Sequence, residues 1–264
     1  MHDLALYDEV TRVMAKLLKL PELVAKDHYM MTIKMDCPSI KPGQFVNIRT
    51  NEGTDPLLRR PFSVYDAEGD VIRVVIRVIG RGTEMLCRME PGEINLLAPL
   101  GNGFIIENSG EVLLVGGGVG NAPLLYLARE LKKAGSRVTY IYCARGKEYI
   151  FGENDFRSAV DELIIATDDG SAGLKGFATD VAANIISSDK FSKIYCCGPD
   201  PMMEKTVKLA HAAASVEVSV ENYFGCGVGI CMGCAVDTTD GYVRACVDGP
   251  VLDGRKIIWK NMPD

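Results

Sequence analysis

The feature that most restricts the fold of this 264-residue chain is a group of four cysteines near its C-terminal end. They have the spacing C-x4-C-x2-C-x11-C and are Cys226, Cys231, Cys234 and Cys246. The other cysteines are scattered: Cys37, Cys87, Cys143, Cys196 and Cys197. The total of nine is odd, which fits a disulfide framework poorly. Clustered cysteines in a cytosolic protein point to a metal before a disulfide.

The spacing is that of a plant-type [2Fe–2S] cluster, in which four thiolates converge on a compact inorganic core. Four glycines lie among the cysteines: Gly225, Gly227, Gly229 and Gly233. They allow the loop to fold tightly and its backbone N–H groups to point at sulfur. Structural zinc favours paired cysteine knuckles, and only Cys231 and Cys234 form such a pair. A thioredoxin-like redox pair would start a helix in a βαβ unit. We therefore predict a [2Fe–2S] cluster.

Two hydrophobic patterns divide the rest of the chain. Up to about residue 100, short strands separated by Pro-Gly and Glu-Gly turns predict a small antiparallel barrel: Tyr29–Met35, Gln44–Arg49, Val71–Ile79 and Glu93–Leu97. Strands then alternate with helices, which predicts a parallel sheet: Val112–Val115, Asn121–Ala134, Val138–Tyr142, Leu163–Thr167, Lys193–Cys197 and Pro201–Ala212. From about Val216 no regular period survives. The predicted fold is multidomain, α/β plus β, with domains at 1–105, 106–215 and 216–264.

Composition and charge exclude several classes of function. The net charge of -6 argues against a general nucleic-acid or anionic-membrane role. No apolar run reaches the roughly 18 residues of a membrane span. The stretch Met1–Leu20 has an acidic start and scattered lysines, unlike a secretory signal. A cytoplasmic protein is therefore expected.

A glycine-rich turn between a strand and a helix predicts a nucleotide site. It runs from Gly116 to Pro123, a context in which backbone N–H groups hold a diphosphate. The turn departs from G-x-G-x-x-G at Pro123, and no acid ends the second strand, so an ordinary glycine-rich turn stays open as an alternative. A second motif, Cys197-Gly198-Pro199, follows another strand of parallel type and strengthens the case. Open α/β sheets bind ligands along this edge.

Two segments of the barrel half are candidates for a flavin site. Leu58–Val64 combines cations, an aromatic ring and a hydroxyl, and arginine pairs with diphosphate in bidentate fashion. Ile76–Thr83 leaves a strand and enters a helix, predicted at Glu84–Met89, near whose start an anion can bind. Taken alone, each segment is better explained as a solvated arginine pair and an ordinary capped helix.

Together, these motifs resemble the ferredoxin-reductase-like family over essentially the whole chain. They are residues 60–63, 82–83, 116–123 and 197–202, followed by the C-terminal cysteines. The stretches Glu221–Gly229 and Cys246–Val251 look like the cluster domain of one branch, the electron-transfer subunits of type B, NAD-dependent dihydroorotate dehydrogenases. The resemblance implies FAD on the barrel, NAD(H) on the α/β domain and the cluster on a C-terminal lobe.

The resemblance also implies site residues and a partner. FAD would contact Arg60, Pro61, Phe62, Ser63, Ile76, Arg77, Val78, Gly82 and Thr83. The nicotinamide nucleotide would face Gly118, Gly120, Cys197, Gly198 and Pro199. One iron would be shared by Cys226 and Cys231, the other by Cys234 and Cys246. An FMN-containing catalytic subunit would oxidise dihydroorotate and pass electrons through the cluster and FAD to NAD+, in a heterotetramer with two copies of each chain. The pathway would be pyrimidine biosynthesis.

Other readings remain open at this point. An equivalent subunit of a hydrogenase, a sulfide dehydrogenase or a ferredoxin-NADP transhydrogenase would share these motifs, and a zinc-stabilised redox sensor or binding module is the alternative outside the family. Arg145 and Lys147 would suit the 2′-phosphate of NADP. No catalytic residue is predicted, because His2, His28 and His211 have no partner pattern. The partner would dock on apolar residues of the cluster loop: Phe224, Val228, Ile230 and Met232.

Overall fold

The strands of the protein form two seven-stranded sheets and a two-stranded hairpin. The computed structural model describes residues 11–36, 39–107, 110–186 and 191–261, so His2 and Cys37 lie outside the described residues. The predicted sequence of a barrel, an α/β unit and a C-terminal iron–sulfur module is confirmed. None of the helices in the described ranges is long and apolar enough to cross a membrane.

The first sheet is an antiparallel barrel, which closes because β1 pairs with both β7 and β3. Its order is β1-β7-β4-β5-β6-β3-β2. The elements are β1 (Thr11–Leu17), β2 (Glu22–Ala25), β3 (His28–Met35), β4 (Phe45–Ile48), β5 (Arg60–Glu68), β6 (Val71–Arg77), α1 (Arg81–Cys87) and β7 (Gly92–Leu100). Alternating apolar side chains such as Val46, Ile48 and Val74 fill the interior and are fully buried.

The second sheet is parallel except at one edge, and its order is β11-β10-β9-β8-β12-β13-β16. Its strands are β8 (Glu111–Gly117), β9 (Arg137–Ala144), β10 (Glu162–Thr167), β11 (Leu174–Lys175), β12 (Lys193–Cys197), β13 (Ser215–Ser219) and, antiparallel, β16 (Val251–Asp253). The helices are α2 (Ala122–Lys133), α3 (Glu153–Ala159), α4 (Ala178–Ile186) and α5 (Asp200–Leu209). The sequences of the parallel strands are continuously apolar, because helices cover both faces of a parallel sheet.

The C-terminal lobe lies between β13 and β16 and contains the hairpin of β14 (Ala235–Thr238) and β15 (Gly241–Arg244). Regular structure therefore continues beyond Val216, where the sequence shows no period. Strand β13 crosses the predicted boundary at 215/216 and pairs with β12 in the parallel sheet. The division of the chain at that point stays a prediction.

A network of charged side chains joins the barrel to the α/β unit. Asp66 on β5 is 5% exposed and accepts hydrogen bonds from Arg73 on β6 and Arg129 on α2. The hydroxyl of Tyr65 donates to Asp155 on α3, 2.8 Å away. A carboxylate bound by two guanidinium groups is well compensated for its burial. The network therefore fixes the barrel against α2 and α3.

Candidate cofactor sites

The four C-terminal cysteines come together as two pairs. The side chain of Cys226 interacts with that of Cys231, and the side chain of Cys246 interacts with that of Cys234. Cys234 and Cys246 are buried, whereas Cys231 is exposed. Among the described residues, no group of three or more His, Cys, Asp or Glu side chains is placed to hold a single metal ion. Two thiol pairs are the arrangement that a two-iron cluster requires, with one pair for each iron.

Backbone N–H groups of the cysteine loop point at these sulfur atoms. The N–H groups of Val228, Ile230 and Cys231 donate to Cys226 Sγ at 3.3–3.5 Å. That of Gly229 donates to Cys246 Sγ at 3.2 Å. Gly227 and Gly229 have φ of +74° and +80°, which only glycine adopts without strain. The predicted fold of the glycine-rich loop is thus observed, and the loop is built to stabilise negative charge on sulfur.

The pKa values of the thiols show the chemistry that the loop favours. Burial alone would raise the pKa of Cys226, but the N–H groups of Val228, Cys231 and Ile230 lower it to about 6. Burial, and then the neighbouring sulfur of Cys234, raise the pKa of Cys246 to about 12. Buried sulfur atoms at such close range carry negative charge only when a cation compensates them. The donor set therefore fits iron bound by thiolates.

The cluster loop is anchored on one side and exposed on the other. The ring of Phe224 packs on Phe45 of β4, with centroids 4.9 Å apart, and Val228 also packs against the core. Ile230 and Met232 are 76% and 50% exposed, and Tyr223 is 69% exposed. Phe224 and Val228 are partly buried, because both pack against the core. The exposed apolar set is Tyr223, Ile230 and Met232.

The two predicted flavin segments meet in space. Arg60 begins β5, and its guanidinium lies over α1, so that a Cβ at Gly82 would be 2.6 Å from Arg60 Nε. Thr83 directs its hydroxyl to Gly80 O at 2.7 Å and thereby orders the turn before α1. Ile76 is fully buried in the barrel. The cation of Arg60 therefore lies beside Gly82 at the start of α1, and a guanidinium there suits a diphosphate.

One buried residue beside the flavin segment was missed by sequence reasoning. Asn47 on β4 lies directly opposite Pro61 on β5 and is fully buried. Neither its Nδ2 nor its Oδ1 has a hydrogen-bond partner within the described protein. A polar residue in the middle of an apolar strand carries no sequence signal of its own, because the strands that enclose it are distant in the chain.

The two nucleotide motifs also meet, at the carboxyl edge of the parallel sheet. A Cβ at Gly120 would lie 2.6 Å from the carbonyl oxygen of Cys197. Gly118 has a φ of +58°, and Pro123 stands in the first turn of α2, as predicted. Asn121 was not predicted: its amide donates to Gly118 O at 2.8 Å and to Cys143 O at 3.0 Å. This amide fixes the turn that a diphosphate would contact.

Two carboxylates lie at the same edge, next to the second motif. Burial and then Glu221 raise the pKa of Cys197 to about 12. The same two causes raise the pKa of Asp200 to about 6. Glu221 opens the cluster segment, so it links the nucleotide edge to the cluster lobe. Sequence reasoning noted its stretch only for the cysteines, and its electrostatic effect on Cys197 depends on the fold.

The histidines take no part in these sites within the described residues. His28 is buried and stacks on Phe151 with ring centroids 5.4 Å apart, and burial lowers its pKa. His211 is exposed and caps the turn after α5 through Ala213 N. His28 is thus part of the core, and His211 is at the surface.

Comparisons with known proteins identify the family. A model of the iron–sulfur cluster binding domain of dihydroorotate dehydrogenase B matches residues 221–258. The dihydroorotate dehydrogenase B (NAD(+)) electron transfer subunit of Desulforamulus reducens is 39% identical over 251 residues, which cover 90% of this chain and 95% of that protein. The same subunit of Fusobacterium nucleatum is 37% identical over 242 residues, covering 86% and 92%.

Solved structures agree. A structure of an NADH-dependent reduced ferredoxin-NADP oxidoreductase, from work on flavin-based electron bifurcation, superposes with a TM-score of 0.83 at 34% identity, covering 94% of this chain and 91% of that chain. A ferredoxin NADP+ reductase from Neisseria gonorrhoeae with bound FAD and NADP gives a TM-score of 0.64 at 17% identity, covering 80% and 100%, and shows the shared fold. The family and the fold support FAD, a [2Fe–2S] cluster and NAD(H) as the cofactors. The chain belongs to the family of electron-transfer subunits of the NAD-dependent dihydroorotate dehydrogenase B.

Proposed function

We propose that this chain relays electrons between an FMN-containing dihydroorotate dehydrogenase subunit and NAD+, in pyrimidine biosynthesis. The observation that carries the proposal is the position of the cluster loop. It packs on β4, the neighbour of β5 in the barrel, through Phe224 and Phe45. It also follows β13, whose last residue, Ser219, lies opposite Cys197 in the parallel sheet. The cluster loop therefore adjoins both the barrel and the carboxyl edge of the parallel sheet, which supports a relay.

The flavin site lies between β5, the end of β6 and α1. Arg60 would hold the diphosphate of FAD, with the backbone around Gly82 and Thr83. Pro61, Phe62 and Ser63 would line the isoalloxazine ring, together with Ile76, Arg77 and Val78. Bound FAD supplies a carrier that exchanges hydride with nicotinamide and single electrons with the cluster. The protein itself positions the flavin and excludes water from it.

The nucleotide site is the carboxyl edge of the parallel sheet. Gly118 and Gly120 would face the diphosphate, and Cys197, Gly198 and Pro199 would face the nicotinamide. The loop after β9 favours NAD over NADP, because the carboxylates of Asp169 and Glu148 lie only 2.7 Å and 2.8 Å from the Cβ position of Gly146. These charges would repel a 2′-phosphate despite the nearby cations Arg145 and Lys147.

The metal ligands in this proposal are Cys226, Cys231, Cys234 and Cys246. The first two would hold one iron and the last two the other, in agreement with the two sulfur pairs. The N–H groups directed at Cys226 and Cys246 would stabilise the charge of the cluster.

The partner would dock over the exposed face of the cluster loop, which consists of Tyr223, Ile230 and Met232. Three large apolar side chains next to a redox centre are costly to leave in water. A heterotetramer with two copies of each chain, in the cytoplasm, is part of the proposal.

The chain alone should then have half of the activity. Purified with its cofactors, it should oxidise NADH with a dye acceptor but not oxidise dihydroorotate, and the FMN subunit should restore dihydroorotate-to-NAD+ turnover. Ile230→Glu should abolish coupled turnover and leave dye reduction intact. Tyr242→Glu is the matched control, since Tyr242 is 72% exposed on β15, outside the cluster loop. Dihydroorotate oxidation by this chain alone would refute the proposal.

A second candidate follows from the 34% identity with the NADH-dependent ferredoxin-NADP oxidoreductase structure. In that case the same flavin, nucleotide and cluster sites would serve a ferredoxin-linked partner. Reconstitution decides between the two: turnover with the FMN subunit and dihydroorotate supports the first, whereas turnover only with a ferredoxin-linked subunit supports the second.

A further inference from the structure

Asn47 is the one fully buried amide of the described protein whose nitrogen and oxygen both lack a hydrogen-bond partner. Unpaired amide atoms in an apolar interior cost free energy that leucine, a side chain of similar size, would not incur. Buried polar groups are paired in the great majority of cases, so each exception requires a reason. The residues around Asn47 give a reason for its burial without a partner.

Asn47 lies where β4 and β5 meet the cluster loop. Residues directly opposite one another in an antiparallel pair share a face of the sheet. Asn47 therefore shares a face with Pro61, and Phe45, two residues earlier, shares it with Ser63. Phe45 packs on Phe224 of the cluster segment. This face of β4 and β5 is thus the floor beneath the cluster loop.

The amide touches the loop at the residue after the first cysteine of the cluster. The Cβ position of Gly227 is only 2.5 Å from Asn47 Nδ2, so no side chain fits there while Asn47 is in place. Gly227 also holds a φ of +74°. Its neighbour Val228 donates its N–H group to Cys226 Sγ. The loop turn that directs N–H groups at sulfur therefore rests on the amide of Asn47.

We propose that Asn47 is a positioning residue for the iron–sulfur cluster, and that its amide keeps an N–H donor at the base of the cluster loop to stabilise the reduced cluster. N–H dipoles near the sulfur atoms of a cluster raise its reduction potential, because the reduced cluster carries more negative charge. The amide also fixes the turn at Gly227 and with it the other donors. This inference rests on the proposed function, which assigns the cluster to this loop.

Asn47→Leu tests the proposal, because it keeps the size of the side chain and removes the amide. The purified chain should retain FAD and iron, and its melting temperature should be equal or higher, since an unpaired buried amide is gone. The midpoint potential of the cluster should fall. The change expected is about tenfold in the equilibrium constant for reduction, which is about 59 mV for a one-electron couple. A dye-mediated titration followed by the electron paramagnetic resonance signal of the reduced cluster measures it.

The control is Asn51→Leu, because Asn51 lies just after β4 but its amide donates to Thr50 Oγ1 and Asp55 O within its own loop. Asn51→Leu should leave the midpoint potential of the cluster unchanged.

If Asn47→Leu does not fold, Asn47→Ala and Asn47→Ser replace it. These two variants leave similar cavities, but serine keeps one hydrogen-bond donor that alanine lacks. A higher potential in the serine variant supports the proposal. An unchanged potential with a lower melting temperature would show a packing role and overturn it. Wild-type chain without iron would instead overturn the proposed function.

Discussion

Gly120 is the point at which the two nucleotide motifs touch, and Gly120→Ala measures how much nucleotide binding depends on that contact. The added Cβ would lie 2.6 Å from the carbonyl oxygen of Cys197 and 2.7 Å from Cα of Gly198. Non-bonded heavy atoms pack at about 3.5 Å, so the contact is relieved only when one loop shifts by roughly 0.5–1 Å. Both neighbours are backbone atoms, so no rotation of a side chain removes the overlap.

The magnitude follows from the cost of overpacking. Inserting one methyl group into a tightly packed site costs about 1–3 kcal/mol. If the displaced loops are those that hold the nucleotide, that cost appears as NADH affinity weakened by about 5- to 150-fold. Anaerobic flavin reduction over a range of NADH concentrations gives the affinity. The content of FAD and iron should match the wild-type chain, because both other sites lie outside this edge.

Gly69→Ala is the control for this experiment. Gly69 has a φ of +59° with open space around it, in the turn between β5 and β6. Alanine there costs backbone strain of about 1 kcal/mol or more without touching the nucleotide edge. It should lower the melting temperature and leave NADH affinity unchanged. Unaltered NADH affinity in Gly120→Ala would refute the assignment of this edge to the nucleotide.

Three further predictions concern the other sites. Serine in place of any one of the four cluster cysteines should remove iron and acid-labile sulfide and leave FAD bound; full retention in two variants would reject the ligand set. Arg60→Ala should weaken FAD retention by about tenfold, measured by dialysis and absorbance, because a charge-assisted contact with diphosphate is lost. The raised pKa of Asp200 means that the folded chain holds a proton that the unfolded chain releases between pH 3.8 and about 6. Stability should therefore fall as pH rises through that window, and Asp200→Asn should flatten the melting-temperature profile there.

The parallel sheet was predictable because its signal is local. The predicted strand Lys193–Cys197 matches β12, and predicted Val112–Val115 lies within β8, since buried parallel strands are continuous apolar runs. Strand β5 was not predicted, because Arg60 and Pro61 open it and only its pairing with β4 and β6 defines it. Strand β16 was likewise missed, because three residues after a cysteine loop carry no period.

The candidate sites also contain some residues that could be predicted from local sequence and others that could not. The cysteine loop was predictable because its cysteines are close in sequence and their spacing leaves few alternatives. Asn47, Asn121 and Glu221 were not, since each acts through a neighbour that only the fold brings near. The inward packing of Phe224 shows the same limit: an apolar residue in a glycine-rich loop gives no sign of the surface against which it rests.

The pairing of β13 with β16 determines how the cluster lobe can move. Ser219 and Val251 lie opposite one another, so the chain leaves and re-enters the sheet at adjacent positions. Asn102 of the barrel side adds a clamp, because its amide binds Asp248 O and Val251 O. A lobe that is held by two paired strands and by the hydrogen bonds of Asn102 cannot rotate freely about a single linker. Electron passage within the chain therefore need not wait for a domain rotation, and its rate should be insensitive to solvent viscosity.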